Sequence, residues 1–119
     1  MNRITTNQAH LNFVCDETTY EDGLKIGMEL LKVCMRTEYL SATGLAHNQI
    51  GGDKKVYIVK DGHGGWKTYI NAEIVSSAGE IVHTESCMSL PKKKHRDVKI
   101  TRSISIVVNH LVENGMIAE

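Results

Sequence analysis

An α+β fold with mainly antiparallel sheet is predicted by three observations. One amphipathic helical pattern lies near the N-terminus. Short β-rich runs bounded by turn dipeptides fill the rest of the chain. The order matters too, because a helix followed by strand after strand does not supply the alternation that a parallel sheet needs. The helix is expected between about Thr18 and Tyr39. Tyr20, Leu24, Met28, Leu31 and Met35 recur at steps of three and four, which puts them on one face as a core stripe. Thr18-x-x-Glu21 has the form of a capping box. Gly23 and Gly27 weaken the helix intrinsically and permit close approach of a neighbouring backbone.

Strands follow the Gly44–Gly52 segment. Val56-Tyr57-Ile58-Val59 is a short apolar run. Asp61-Gly62 and Gly64-Gly65 signal a turn into Trp66-Lys67-Thr68-Tyr69-Ile70. Glu73-Ile74-Val75 and Glu80-Ile81-Val82 flank a turn at Ala78-Gly79. From Ile100 to Val108 the sequence alternates, with Ile100, Arg102, Ile104, Ile106 and Val108 on one face of a single expected strand. Glu113-Asn114-Gly115 reads as a hairpin turn into a short last strand.

A length of 119 residues suits one domain over 1–119, large enough to bury a core without disulfides. The formal net charge is zero, so the overall balance gives no argument for DNA or for an anionic membrane surface. The local exception is Lys92-Lys93-Lys94-His95-Arg96, a solvated loop or a binding patch. Three cysteines, Cys15, Cys34 and Cys87, with no apolar leader, argue against a disulfide framework and for a cytoplasmic protein. No apolar stretch approaches the roughly 20 residues of a membrane span.

Two segments carry residues suited to chemistry. Cys87 lies in Glu85-Ser86-Cys87-Met88-Ser89-Leu90-Pro91. As a thiolate it would be a nucleophile or a soft metal ligand; as a thiol beside Met and Leu it would be a small buried hydrophobe. Gln49 lies in Gly44-Leu45-Ala46-His47-Asn48-Gln49-Ile50-Gly51, about forty residues earlier. On its own that segment is also consistent with a plain loop between helix and strand.

Together, in this order and at this spacing, the two segments resemble two of the three motifs of the peptide deformylase family. Tyr69-Ile70-Asn71-Ala72-Glu73-Ile74-Val75 and Asn114-Gly115 agree with the same family's later strands, so the resemblance runs from about Asp22 to the last residue. It implies metal-dependent hydrolysis of the formyl group from N-formyl-methionyl peptides. Cys87 would be a metal ligand. The Gln49 side chain, with the backbone N–H of Met88, would donate to the formyl oxygen, an oxyanion-hole role. Gly44 and Ser86 would contact substrate through their backbones. Glu85 would fix the loop by hydrogen bonding, and Arg102 is expected to pair with it. The family's metal is typically Fe2+, with Zn2+ or Ni2+ as substitutes. The implied partners are a formyl-methionyl peptide or nascent chain and the ribosome, with no DNA and no membrane.

The departures are specific. Ser86 replaces the family's glycine, and Thr43 stands where an apolar residue is usual. His47 takes a position usually filled by alanine, so a titratable ring either crowds the site or is satisfied structurally. The third motif, His-Glu-x-x-His on a helix, is absent: the histidines are His10, His47, His63, His83, His95 and His110, and no two are four apart. Two metal ligands and the catalytic glutamate are therefore missing, and the chain is expected to be a C-terminally truncated domain lacking the metal-binding helix. A catalytic site of this type needs three protein ligands plus water. Three readings follow: a deformylase whose site is completed elsewhere, a catalytically inactive module that binds peptide N-termini, the ribosome or a partner chain, and self-association through the sheet face that the helix would cover.

Overall fold

A computed structural model of the chain describes residues 4, 5, 7, 11, 14–36, 39, 42–85, 98–103 and 105–119; for 83–85 and 98–101 the description is of the backbone. Among the described residues, helix α1 (Tyr20–Cys34) is followed by β1 (Gly44–Ala46), a 3-10 turn (His47–Ile50), and β2 (Val56–Lys60), β3 (Trp66–Ile70), β4 (Glu73–Ala78), β5 (Ile81–Glu85), β6 (Val98–Arg102), β7 (Ser105–Val112) and β8 (Gly115–Ala118). Every strand pairing is antiparallel. One sheet has the order β1-β2-β3, a second β4-β7-β8, and β5 and β6 form a two-stranded ribbon. The expected fold class is the one observed.

The helix differs from its expectation in both start and face. Thr19, not Thr18, is the N-cap, its hydroxyl accepting the Asp22 N–H at 3.2 Å. Thr18 is engaged elsewhere: its N–H donates to Asn71 Oδ1 at 2.9 Å, and its carbonyl accepts from Asn71 Nδ2 at 2.8 Å. Asn71 can do this because it sits at φ 55°, a left-handed conformation that asparagine tolerates better than most residues. The buried face of α1 is Gly23, Gly27, Leu30, Val33 and Cys34. Leu24, Met28 and Met35 of the expected stripe are 40%, 64% and 63% exposed. The glycines decide this, because they let the helix seat closely on β3. A Cβ at Gly23 would lie 2.7 Å from Ile70, and one at Gly27 would lie 2.6 Å from Thr68 Oγ1.

The core lies between α1 and one face of the first sheet, where Leu30, Val33, Cys34, Leu45, Ile50, Val56, Ile58 and Ile70 are buried. On the sheet's other face Tyr57 and Tyr69 stack at 5.0 Å as a cross-strand pair. Tyr69 also meets His110 of β7 at 4.8 Å, which joins the two sheets. His110 is 2% exposed, and its Nε2 lies 2.7 Å from Glu119 Oε1, an oxygen also bound by Lys67 Nζ.

The single strand expected over Ile100–Val108 is two strands. β6 pairs with β5 and β7 with β4 and β8, so the chain changes sheets after Arg102. Alternation carries across such a change and cannot reveal it. The Ala78-Gly79 turn likewise joins strands that do not pair, with Gly79 at φ 67°. The turns at Asp61–Gly65 and after Val112 form as expected. Asp61 Oδ1 accepts from His63 N–H and Gly65 N–H at 2.7 and 3.0 Å, and Gly115 sits opposite Val112 at φ 128°. The later strands leave apolar side chains in solvent: Ile74, Val75, Ile81 and Val82 are 51–66% exposed. No helix among the described residues is long and apolar enough to cross a membrane.

Candidate functional site

The segment Gly44–Gly52 packs on the core at one end and turns tightly at the other. β1 runs antiparallel to β2, with Gly44 opposite Val59 and Ala46 opposite Tyr57, and among the described residues it is an edge strand of its sheet. Leu45 and Ile50 are buried and hold both ends of the segment down. Between them the chain makes one 3-10 turn and stops at Gly51, whose φ of 86° suits glycine.

Gln49 is the third residue of that turn. Its Oε1 accepts the Ala46 N–H at 2.9 Å. A backbone N–H can only donate, so the amide oxygen is the atom facing the loop and the NH2 end is turned away from it. Asn48 donates from Nδ2 to the Leu11 carbonyl at 3.0 Å, fastening the turn to the N-terminal segment.

His47 is satisfied structurally. Its Nδ1 accepts the Lys54 N–H at 3.0 Å. An Nδ1 that accepts is unprotonated, so the ring is the neutral tautomer with its proton on Nε2. Burial lowers its pKa below the ordinary 6.5, against the opposing influence of Glu29 and Asp53. The ring lies over Gly52, where a Cβ would stand 2.1 Å from Nε2. A cavity of about 250 Å³ borders it, lined by Cys15, Asn48, Lys54 and Tyr57 among others. Burial, then Asp53 and Asp16, raise the Cys15 thiol, and burial raises that of Cys34. Neither is an activated nucleophile.

The remaining expected residues separate into two groups. Ser86, Cys87 and Met88 lie outside the described residues, as does the basic run Lys92–Arg96. Glu85 and Arg102 are on the ribbon that brackets that segment. Glu85 is opposite Val98 and Arg102 opposite Ile81, at the two ends of the ladder. Four residues of strand separate those rungs, about 13 Å. Among the described residues no group of three His, Cys, Asp or Glu side chains could hold a metal ion. The described residues alone therefore do not fit a catalytic metal.

Sequence reasoning missed two constellations. The Asn71–Thr18 clamp has no signal beyond an asparagine after a strand. The His110–Glu119–Lys67–Tyr69 cluster is foreshadowed only by the period of Ile106 and Val108, which continues to His110.

Comparison with known proteins is consistent with this geometry. The sequence model of the polypeptide deformylase family matches residues 3–118. Peptide deformylase 1 of Clostridium perfringens is 38% identical over 68 residues, which is 56% of this chain and 45% of that protein. The chain spans about half the length of the curated relatives it matches. The crystal structure of peptide deformylase from Thermotoga maritima superposes with a TM-score of 0.81 at 25% identity, covering 100% of this chain and 80% of that one. The Met-Ala-Ser-bound class I type b peptide deformylase of Acinetobacter baumannii superposes with a TM-score of 0.80 at 15% identity, covering 100% and 82%. A match over nearly the whole chain, on a helix and antiparallel sheets arranged alike, places this chain in the polypeptide deformylase family.

Proposed function

We propose that this chain carries the peptide-binding and oxyanion-stabilising half of a peptide deformylase, acting on N-formyl-methionyl peptides or nascent chains in the cytoplasm. The observation that carries the reading is Gln49. Its Oε1 accepts the Ala46 N–H, which fixes the amide of the motif glutamine within the loop, with its NH2 end turned away from that backbone. The edge strand β1, beginning at Gly44, offers main-chain groups to an extended peptide. Such a peptide, Met-Ala-Ser, is bound by the Acinetobacter enzyme. In this reading Met88 N–H is the second oxyanion donor, Ser86 contacts the peptide, Glu85 and Arg102 brace the ribbon, and Cys87 ligates Fe2+, Zn2+ or Ni2+. The other ligands would come from outside the described residues.

A second reading, favoured by the apolar side chains of β4 and β5 left in solvent, is a module that binds peptide N-termini, the ribosome or a partner chain without turnover. Self-association through the exposed apolar residues of β4 and β5 belongs to the same reading. Formate release from formyl-Met-Ala-Ser, with ferrous iron and with Gln49→Leu, separates the two. The first reading expects metal-dependent release that falls at least about 100-fold in the variant. Binding of the peptide without release supports the second. Neither binding nor release overturns both.

A further inference from the structure

We infer that His47 is a positioning residue for Gln49, holding the 3-10 turn in place by closing the loop 47–54 onto itself through its Nδ1. The inference rests on the reading of Gln49 given above, but its evidence is separate. Two contacts of one ring fix both arms of the loop. Nδ1 accepts the Lys54 N–H at 3.0 Å, and the ring face fills the space over Gly52. The backbone adds a third tie, since the Gly52 N–H donates to the His47 carbonyl at 2.9 Å. The far arm is itself anchored. The Lys55 N–H donates to the Asp16 carbonyl at 2.7 Å, the Asp16 N–H to the Asp53 carbonyl at 2.8 Å, and the Asn71 N–H to the Lys55 carbonyl at 2.8 Å. His47 therefore pins the turn carrying Gln49 to a segment that is already fixed.

Alanine at this position could make neither contact. Histidine and Gly52 act as a pair, because any side chain at 52 would occupy the place of the ring. The clamp is also proton-sensitive by construction. Protonated at Nδ1, the imidazolium would present a donor to the Lys54 N–H, and two donors cannot bond each other. Glu29 of α1 and Asp53 favour the charged ring, while burial and Lys54 oppose it. Cys15, Lys55 and Tyr57 line the adjoining cavity. Acidification should therefore loosen the turn and move Gln49.

The test is nitrogen-15 NMR of the full chain between pH 8 and pH 5, on wild type, His47→Ala and His47→Asn. In wild type the His47 ring should show the Nε2–H tautomer. The Lys54 amide and the Gln49 side-chain amide should shift together with one midpoint, below 6.5. His47→Ala should abolish that shared shift. His47→Asn offers an oxygen where Nδ1 stood, so it should restore the Lys54 amide position without the titration. Gly52→Ala should disturb the Gln49 amide in wild type and not in His47→Ala. A Gln49 amide that titrates alike in wild type and His47→Ala would overturn the inference, as would an Nδ1–H tautomer. None of these signals needs turnover, so failure of the deformylase reading shows in formate release alone.

Discussion

Gly23→Ala tests whether the seat of α1 on β3 depends on a missing side chain. Two effects oppose each other. Alanine favours a helix over glycine by about 1 kcal/mol. Against that, the new Cβ would stand 2.7 Å from Cδ1, Cγ1 and Cγ2 of Ile70 at once. Ile70 is 1% exposed, and its β-branched side chain has a stiff χ1, so it cannot swing clear as the tip of a lysine could. Overpacking a fitted core costs about 1–3 kcal/mol. The clash offsets the propensity gain or exceeds it, and a net loss of up to about 2 kcal/mol is expected. Urea denaturation followed by circular dichroism would show it as a lower midpoint at unchanged slope. Ile70→Val removes Cδ1, so the double variant should be more stable than the sum of the two single losses. Gly62→Ala is the control: its Cβ would meet nothing within 4 Å, and a change within about 0.5 kcal/mol is expected. A Gly23→Ala protein more stable than wild type, or strict additivity with Ile70→Val, would refute the close seating of α1 on β3.

Asn71→Ala loses two hydrogen bonds to Thr18 and keeps a φ that alanine resists, so it should cost about 2–4 kcal/mol, while Asn71→Gly should cost less because the φ of 55° is then free. Thr19→Ala should cost about 1 kcal/mol through the lost cap. Thr18→Ala should change stability by less than about 0.5 kcal/mol, because Thr18 is tied through its backbone; the reverse order in denaturation would restore Thr18 as the cap. Burial lowers the pKa of His47 and of His110 from 6.5, so the unfolded imidazoles take up protons first as pH falls. The stability they contribute is complete above about pH 6.5 and declines below it. A melting temperature that does not change between pH 7.5 and pH 5 would contradict this.

Legibility in the sequence followed the physics of each signal. Turn chemistry was readable because it is local: Asp61 with Gly64, and Asn114 with Gly115, need only their own backbone conformations. Strand existence was readable for the same reason at β2 and β3. The buried face of α1 was not, because hydrophobic periodicity selects Leu24 and Met28, while the sheet selects the face with Gly23 and Gly27. A residue without a side chain contributes nothing to a periodic pattern, yet here it sets the packing distance. The break between β6 and β7 was invisible because alternation reports a strand and not its partner. At the candidate site Gln49 was legible as a motif residue, and its orientation was not, since that depends on the Ala46 N–H. His47 stands out in the sequence as a departure, but its role depends on Lys54 and Gly52 in space.

The two halves of the candidate site stand on different foundations. Gln49 is flanked by the core: Leu45 and Ile50 on either side of it are 2% and 9% exposed, and both belong to the cluster that includes Leu30, Val56 and Ile58. A group that must meet developing charge in a fixed place benefits from such support, because reorganisation at the moment of reaction would cost part of the stabilisation. The segment that contains Cys87 joins β5 to β6 instead, and Ile81 and Val82 at the start of that ribbon are 51% and 64% exposed. Local stability tracks the apolar contacts an element makes. The turn that carries Gln49 is thus built in by packing of α1 against the first sheet. The ribbon that brackets the Cys87 segment has no comparable support among the described residues, since Ile81 and Val82 face solvent.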